Sequence, residues 1–388
     1  MNILYNCYEY PPSQHGGVGT FYRDLAEALV KQGHCVTVVG IYFDNVLKLD
    51  KIIQEEINGV KIIRIPQYRK TGINRIDTFL SRVYFRHFLQ RLIKKETFDF
   101  IESPEGSGWL PLGAPGNIPL VTRLHVGQGV IGLMLKRKSS HMLKTFEKMQ
   151  LRRSNHIVAV SGYIANATAS LYAIKKNIRV LYNGVKIPKI DSYINSHVDN
   201  DGICRILFFG SIDYKKGVKE LILASLLLIG RGYNLSLSIA GKLTNKKYYT
   251  ELLQLIPTDM KEKVIFCGPL NREKELFPLI AESDVCCFPS KLEAFGLAPV
   301  EAMAFRKPVV FTCLGAGPEV IRDGVDGLLC DPYNPEDIAN KIAIFIDNPE
   351  MRVSCANSGY NRAWKEFSSE KMLQNNIDYY NSCIPTHR

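Results

Sequence analysis

The chain has 388 residues, of which 46% are hydrophobic and 22% are charged, and a formal net charge of +11. Its mean hydropathy is close to zero; this composition is typical of an ordinary soluble globular chain, and the length predicts two domains because it exceeds what one core usually supports. The sequence has no apolar run long enough to span a bilayer, no signal-peptide pattern and no cysteine spacing typical of zinc sites or disulfide frameworks, so we expect a cytoplasmic protein with reduced thiols.

Apolar strands and helices alternate twice along the chain. The strands predicted in the first half are Ile3–Cys7, Cys35–Val39, Lys61–Ile65, Phe98–Glu102, Ile118–Leu124 and His156–Val160. Residues 186–202 are polar and broken by Pro and Gly, which predicts a linker. The strands predicted after it are Arg205–Phe209, Leu235–Ala240, Val264–Cys267, Val285–Phe288 and Pro308–Phe311. Such alternation favours right-handed parallel units, and therefore an α/β fold of two doubly wound domains.

The first loop with a chemical signal is Gly16-Gly17-Val18-Gly19, which follows the first predicted strand and opens a helix. Open parallel sheets bind ligands beyond the carboxyl ends of their strands. Small residues let a backbone approach a phosphate there, and a helix N-terminus favours an anion. The spacing is not that of the dinucleotide-binding fingerprint, and a tight turn without a ligand is the open alternative.

The whole basic excess lies in the first half of the chain. Residues 1–185 hold 25 Lys and Arg against 13 Asp and Glu, whereas residues 186–388 hold 24 against 25. This asymmetry predicts an anionic partner: a membrane surface, a lipid-phosphate acceptor or an acidic polymer. A solvated surface that only keeps the protein soluble is the alternative. Nucleic acid is not expected as a partner, because no recognised nucleic-acid-binding motif accompanies the charge.

Residues 79–95 predict an imperfect amphipathic helix. Its apolar face consists of Phe85, Phe88, Leu89 and Leu92, and its basic face of His87, Arg91, Lys94 and Lys95. Arg82 and Arg86 fall nearer the apolar side. A second basic segment runs over residues 136–153. Either segment is suited to peripheral contact with an anionic membrane, although a helix that covers a sheet gives the same pattern.

The loop of residues 210–217 opens the second half in the way that the glycine loop opens the first. It follows the predicted strand Arg205–Phe209 and brings Lys216 to the start of the next helix. An ammonium beside free helix amides predicts a diphosphate site. Solvated lysines in a polar loop are the alternative.

Two glutamates, Glu293 and Glu301, stand eight positions apart where an apolar strand leads into a helix. The helix begins near Gly296, so the amides of Phe295, Gly296 and Leu297 are expected to meet a phosphate or sugar oxygen. Glu301 lies early in the helix and suits the two hydroxyls of a ribose. Glu293 lies in the loop before the helix, where it can contact a sugar ring. The preference of acids for helix N-termini explains Glu301 without a ligand, but it does not explain Glu293.

In combination these features resemble the retaining GT-B glycosyltransferases of family four, and the resemblance covers nearly the whole chain. Glu293 and Glu301 fit the family's two glutamates with seven residues between them. Segments that match elsewhere in the second half are Ala302-Met-Ala304, Lys307-Pro-Val-Val310, Gly315-Ala-Gly-Pro-Glu319 and Asp323-Gly-Val-Asp-Gly327. Segments that look similar in the first half are His15-Gly-Gly-Val-Gly19, Val160-Ser161 and Asn183-Gly-Val185.

The resemblance implies the GT-B fold, two Rossmann-like domains facing across a cleft. Residues 1–185 would form an acceptor-binding domain and residues 203–365 a nucleotide-sugar-binding domain, joined by the linker 186–202. The last segment, about residues 366–388, would cross back as a helix onto the first domain. Acceptors would be read by surfaces of the first domain such as Glu102–Glu105 and residues 64–95.

The resemblance also implies a donor site. Lys216 would hold the donor diphosphate, Glu301 the ribose and Glu293 the donor sugar. Gly210 and Ser211 belong to the same site, but the family commonly has an arginine directly after Gly210. Ser211 removes that cation. Three alternatives follow: Lys215 or another base compensates, donor affinity is weaker, or activity itself is lost.

In the first domain, Gly17 would line the donor phosphates. His125 resembles the family histidine that faces the sugar across the cleft, while an ordinary hydrogen-bonded histidine is the alternative. The residues predicted to act in catalysis are therefore His125, Lys216 and Glu293. Asp199-Asn-Asp201 mimics the metal-binding motif of another glycosyltransferase fold but lies in the linker, so we expect no cofactor and no obligatory metal.

The implied reaction is transfer of a hexose-type sugar, with retention, from a UDP- or GDP-linked donor to a glycan or lipid-linked acceptor in bacterial surface-polysaccharide biosynthesis. Lys216 and helix amides would stabilise the leaving diphosphate, and domain closure would exclude water. Three alternatives stay open: a nucleotide-sugar epimerase of the same fold, a non-catalytic nucleotide-sugar binding protein, and an adaptor for membrane or nucleic acid.

Overall fold

The computed structural model describes residues 1–13, 16–42, 51–67, 71–188 and 202–384. The chain divides into two compact units. The N-terminal unit comprises Met1–Asn183 with Met372–Arg388, and the C-terminal unit comprises Gly184–Lys371. Most of the predicted linker, including Asp199-Asn-Asp201, lies outside the described residues, as does His15.

The N-terminal unit is built around an eight-stranded sheet. Its strands are β1 (Asn2–Asn6), β2 (Cys35–Tyr42), β3 (Ile53–Ile57), β4 (Val60–Pro66), β5 (Phe100–Pro104), β6 (Leu120–Leu124), β7 (His156–Ala159) and β8 (Ile178–Val180). Its helices before the chain leaves the unit are α1 (Gly17–Lys31), α2 (Asn74–Ile93), α3 (Gln128–Met134), α4 (His141–Arg153) and α5 (Gly162–Tyr172). The strand order is β3-β4-β2-β1-β5-β6-β7-β8, and the strands pair in parallel except β3, which is antiparallel to β4.

The C-terminal unit contains a six-stranded parallel sheet. Its strands are β9 (Cys204–Phe209), β10 (Leu235–Ala240), β11 (Val264–Gly268), β12 (Val285–Phe288), β13 (Val309–Thr312) and β14 (Leu328–Cys330). The helices that follow α5 are α6 (Val218–Gly230), α7 (Lys246–Gln254), α8 (Phe277–Glu282), α9 (Leu297–Ala304), α10 (Gly317–Val320), α11 (Pro335–Asp347), α12 (Pro349–Phe367) and α13 (Ser369–Cys383). From Met372 onward α13 belongs to the N-terminal unit.

The strand order of the second sheet is β11-β10-β9-β12-β13-β14. This is the order of a dinucleotide-binding fold, in which the chain first builds outward from β9 on one side and then returns to build from β12 on the other. Ligands bind in such sheets beyond the carboxyl ends of the two strands where the order reverses. For this unit those strands are β9 and β12.

Apolar side chains cover both faces of the N-terminal sheet. Tyr5 and Val38 enter a core cluster with residues of α1 and α13. Their neighbours Leu4 and Val39 enter a second cluster, which contains Phe85 of α2. Successive strand residues point to opposite faces, so the sheet lies between two helical layers. This arrangement confirms the predicted class of two Rossmann-like α/β domains.

The sequence analysis missed three strands: β3, β8 and β14. β3 and β4 form a hairpin whose two-residue turn is Asn58-Gly59. Both turn residues have positive φ, 50° and 79°, the geometry that makes Asn-Gly a strong hairpin signal. The dipeptide was therefore a usable signal, and the sheet ends in an antiparallel edge strand that the alternation alone did not predict.

Helix α2 bears out part of the amphipathic prediction. Phe85, Leu89 and Leu92 are buried. Arg82 is buried with them, and its guanidinium donates hydrogen bonds to three carbonyl oxygens, those of Thr78, Ser107 and Gly108. Within the described ranges no helix combines the length and apolar content needed to cross a membrane.

Candidate active site

Two loops of the C-terminal unit meet where the strand order reverses. Lys216 ends a short 3-10 turn, Tyr214–Lys216, in the loop after β9. Glu293 lies in the loop after β12. The Lys216 Nζ donates a hydrogen bond to Glu293 Oε2 at 2.8 Å, with the two side chains 31% and 12% exposed. The structure thus joins two predicted site residues that are 77 positions apart in sequence.

Glycines allow the two loops to approach closely. Gly217 caps α6 with φ of +70°, and a Cβ atom there would lie 1.9 Å from the carbonyl oxygen of Pro289, at the end of β12. Gly210 follows β9 with φ of +144°, and Ser211 beside it is exposed. The side chain of Lys215, which we considered as compensation for Ser211, lies 3.6 Å from an Asp213 oxygen.

Glu301 lies on α9, close behind the loop that carries Glu293. The helix begins after its N-cap residue Gly296, whose positive φ of +108° turns the chain from the loop into the helix. Glu301 is 8% exposed, and its Oε1 accepts a hydrogen bond from Arg272 Nη2 at 2.5 Å. Arg272 opens a π-helical turn, Arg272–Leu276, after β11. Each of the two predicted donor carboxylates is therefore paired with a basic side chain.

Sequence reasoning missed Arg272. It lies 29 positions before Glu301, in a stretch of charged residues without a motif, and only the folding of the loop after β11 brings it to α9. Its guanidinium side chain is 45% exposed. A solvated partner of this kind can move aside at low cost when another ligand takes the carboxylate.

Phe295 was predicted to contact the donor, and its ring is part of the core. It is 2% exposed and packs edge-on against Phe367, with ring centroids 5.5 Å apart. A donor contact at Phe295 is therefore a backbone contact. Gly296 is buried and Leu297 half-buried, so this stretch also presents mainly backbone.

In the N-terminal unit, His125 follows β6. Its backbone N–H donates to Glu105 Oε2 at 2.9 Å, and its ring packs edge-on against Phe21, with centroids 5.1 Å apart. Burial and then the Arg123 charge lower the pKa of His125 to about 3, so the imidazole is neutral at physiological pH. Its Nε2 is buried and has no hydrogen-bond partner among the described residues.

The N-terminus of α1 already has an anionic partner. Glu9 Oε1 accepts a hydrogen bond from Gly19 N at 2.8 Å, and Glu9 Oε2 accepts one from Gly16 N at 3.4 Å. Gly17, the first residue of α1, lies between these two amides. The anion predicted for this helix is thus supplied by the chain itself, and phosphate contact at Gly17 stays a prediction.

The expectation that Glu102–Glu105 forms an acceptor-reading surface was wrong. The residues belong to the end of β5 and the position after it, and Glu102 is fully buried. Glu102 accepts two hydrogen bonds from the Arg123 guanidinium, at 2.6 and 3.1 Å, and one from Tyr380 at 2.8 Å. Its carboxylate compensates a buried arginine, which explains a charge at the centre of the sheet.

Within the described ranges no group of three or more His, Cys, Asp or Glu side chains is placed to hold a metal ion. In this unit the structure pairs Lys216 with Glu293 at the strand reversal, and Arg272 with Glu301 on α9. This set offers cations for a phosphate and carboxylates for hydroxyl groups, which is the chemistry that a sugar nucleotide requires.

Sequence comparisons relate both halves of the chain to glycosyltransferases. Residues 15–187 match the family described as Glycosyltransferase Family 4, and residues 190–362 match Glycosyl transferases group 1. The chain is 25% identical to an uncharacterized glycosyltransferase of Methanocaldococcus jannaschii over 98% of both chains. It is also 25% identical to the glycogen synthase of Mycobacterium tuberculosis, over 95% of this chain and 91% of that protein.

Solved structures share the fold over the whole chain. Sucrose-phosphate synthase from Thermosynechococcus elongatus matches with a TM-score of 0.81 and 20% identity, over 98% of each chain. Anabaena HepE in complex with UDP-glucose matches with a TM-score of 0.74 and 20% identity, over 98% of this chain and 100% of that one. The two family matches, the relatives and this shared architecture together show that the chain belongs to the GT-B glycosyltransferases of family 4.

Proposed function

We propose that the chain is a retaining hexosyltransferase that takes its sugar from a UDP- or GDP-linked donor and transfers it to a glycan or lipid-linked acceptor in bacterial surface-polysaccharide biosynthesis. The observation that carries this proposal is the Lys216–Glu293 bridge at the strand reversal, with Glu301 on the following helix. The UDP-glucose bound by HepE supports a UDP-linked donor, and the likeness to a glycogen synthase supports a glycan acceptor.

Each side chain has a distinct role in this proposal. Lys216 and the first amides of α9 stabilise the negative charge that develops on the leaving diphosphate. Glu301 accepts the two ribose hydroxyls, and Arg272 moves aside. Glu293 accepts a hydroxyl of the donor sugar. The bridge between Lys216 and Glu293 holds both side chains near their working positions before the donor binds, which lowers the entropy lost on binding.

In this proposal His125 contacts the sugar as a neutral group. Because its pKa is lowered to about 3, it offers a single hydrogen bond through Nε2 rather than a positive charge, and we propose that this bond goes to a sugar hydroxyl. Glu293 is held by Lys216, so we assign it to hydrogen bonding rather than to nucleophilic attack. We propose that the reaction needs no cofactor and no obligatory metal.

A transfer assay tests the reaction class. The protein is incubated with UDP-glucose or GDP-mannose, with and without a maltooligosaccharide or a polyprenyl-diphosphate-linked saccharide, in the presence of EDTA. We expect one donor to give an acceptor-dependent product whose anomeric configuration, read by NMR, matches that of the donor. Sugar product without any acceptor would identify an epimerase, an inverted linkage would contradict retention, and inhibition by EDTA would contradict metal independence.

We also propose that the N-terminal unit contacts an anionic membrane, at the inner face of the cytoplasmic membrane, through one face of α2. This α2 stripe consists of the apolar residues Ile73, Ile76, Phe79 and Val83, followed by the basic side His87, Arg91 and Lys94. The four apolar side chains are 42–55% exposed, and the three basic residues are also exposed. Their spacing of three or four residues places them on one side of the helix, and apolar and cationic groups together suit an anionic lipid surface.

Vesicle binding tests the α2 stripe. Exposed basic residues contribute about 1 kcal/mol each near an anionic surface. Arg91→Ser/Lys94→Ser/Lys95→Ser, which also removes the exposed lysine next to the stripe, should therefore weaken binding to phosphatidylglycerol vesicles by about 100-fold. The separate variant Phe79→Ser/Val83→Ser should also weaken vesicle binding, and this loss should persist at high salt. The matched control is Val353→Ser/Trp364→Ser, which removes similarly exposed apolar groups from the C-terminal unit. Equal binding of all three variants and the wild type would contradict the proposal.

A further inference from the structure

A buried lysine lies between the two loops that carry the donor residues. Lys291 is 2% exposed and stands two positions before Glu293, in the loop after β12. A lysine is almost never buried without partners, because its ammonium group loses hydration. Groups from several elements of the C-terminal unit supply that compensation.

The ammonium group of Lys291 contacts three other segments. Its Nζ donates a hydrogen bond to Glu220 Oε1, in the first turn of α6, at 2.7 Å. It also lies 3.7 Å from the ring centroid of Tyr214 and 5.3 Å from that of Tyr333, which is within the range of cation–π attraction. Tyr214 opens the turn that ends at Lys216, and Tyr333 follows β14.

The backbone of Lys291 adds a second link. Its N–H donates to the carbonyl oxygen of Lys215 at 2.8 Å, directly before Lys216. The loop after β9 and the loop after β12 are therefore joined through the backbone as well as through side chains. The Lys216–Glu293 bridge joins them through partly exposed side chains, and Lys291 joins them through a buried side chain.

We propose that Lys291 is a positioning residue for sugar transfer, which fixes the separation of Lys216 and Glu293 without touching the donor. The proposal rests on the proposed function, because that function assigns these two side chains to the donor. A buried ion pair contributes little net stability compared with an apolar pair of the same shape. The pair of Lys291 and Glu220 therefore serves to place the loops rather than to stabilise the unit.

Two variants distinguish a role of Lys291 in placing the loops from a role in stabilising the C-terminal unit. Lys291→Met alone leaves the Glu220 carboxylate, whose side chain is only 12% exposed, without its partner, so we expect a lower Tm. Lys291→Met combined with Glu220→Met removes both charges and should restore the Tm. In both variants we expect kcat to fall about 10- to 100-fold, because small misplacements of catalytic groups are costly. Deuterium exchange in residues 211–217 and 290–296 should rise about fivefold or more.

The matched control is Lys307→Met. Lys307 precedes β13 and so lies at the amino ends of the strands of the same sheet, whereas Lys291 follows the carboxyl end of β12. The Lys307 Nζ donates to the carbonyl oxygens of Ala281 and Ser283. This variant should lower the Tm and leave kcat unchanged. The proposal is overturned if the double variant recovers kcat together with its Tm, or if exchange in the two loops does not change. If the wild type transfers no sugar while the loops of the variants still loosen, the proposed function fails and the role of Lys291 in loop placement stands.

Discussion

Buried ionisable residues differ in how completely they are paired. Glu102 is fully buried, and Arg123 and Tyr380 satisfy its carboxylate. Glu105 is also buried, but its Oε1 has no hydrogen-bond partner among the described residues. Burial raises the pKa of Glu105 to about 8. A carboxyl group in this position is protonated at neutral pH and makes stability depend on pH.

The sign of that dependence follows from proton binding. Between the ordinary pKa of 4.5 and the folded value of about 8, folded Glu105 holds a proton that the unfolded chain has lost. The free energy of unfolding therefore falls as pH rises through this range. Glu105→Gln keeps an oxygen for the His125 N–H and removes the titration, so we predict that its Tm relative to wild type increases from pH 5 to pH 8. A constant difference across the range would contradict the assignment, and Glu336→Gln on the surface is the control.

Loop geometry decides how the elements of the C-terminal unit meet. Gly217 ends the turn that carries Lys216 and begins α6, and it needs both a positive φ and the absence of a side chain. Gly230, at the end of α6, needs neither: apart from its chain neighbours and the backbone of its own helix, no atom lies within 4 Å of its Cβ position. Alanine substitutions at these two glycines are therefore expected to have opposite effects on stability.

We predict that Gly217→Ala destabilises the protein by more than about 1 kcal/mol, because alanine is strained at this φ and its methyl group meets the Pro289 oxygen. Gly230→Ala should be neutral or stabilising by up to about 1 kcal/mol, because alanine is the better helix residue. Thermal unfolding of the two variants checks this. If Gly217→Ala were as stable as Gly230→Ala, the close approach of the two loops would be contradicted.

The elements themselves were largely predictable from the sequence. The strand Leu235–Ala240 has the predicted bounds, because an apolar run bounded by turn residues indicates a strand. That Lys216 and Glu293 lie in one site could be expected in outline, since the family resemblance assigns both to the donor. The contacts of Arg272 and Lys291 could not, because they depend on how loops far apart in sequence fold toward each other.

At the scale of the whole chain, the N-terminal unit is completed by the C-terminus. Helix α13 supplies Asn376 and Tyr380 to the buried Arg123 and Glu102, more than 250 positions earlier in the sequence. The resemblance implied a crossover helix, but the sequence alone gave no sign that it carries hydrogen bonds to the centre of the first sheet. The two ends of the chain therefore contribute to one core.

Tyr380→Phe tests this link. It removes a hydroxyl that bonds Glu102 at 2.8 Å and Arg123 at 3.1 Å, so we predict a loss of about 1–3 kcal/mol in the free energy of unfolding. Deuterium exchange should rise in β5 and β6 and stay unchanged in the C-terminal sheet. Tyr379→Phe is the control, because its hydroxyl donates to the Ile157 oxygen at 3.4 Å and not to Glu102. Equal effects of the two substitutions would contradict a special role for Tyr380.

We propose that the C-terminal unit binds a nucleotide sugar at its strand reversal, through Lys216, Glu293 and Glu301. The most direct measurement is thermal unfolding of wild type, Glu301→Ala and Glu336→Ala with UDP, GDP, UDP-glucose and GDP-mannose. Glu336→Ala is the control because its carboxylate forms an exposed pair with Arg231 at the surface. At a concentration 100 times the Kd of the wild type, either the UDP or the GDP compounds should stabilise the wild type and the control by about 2.7 kcal/mol. The same concentration should stabilise Glu301→Ala much less. No stabilisation by any nucleotide, or equal stabilisation of Glu301→Ala, would contradict the claim.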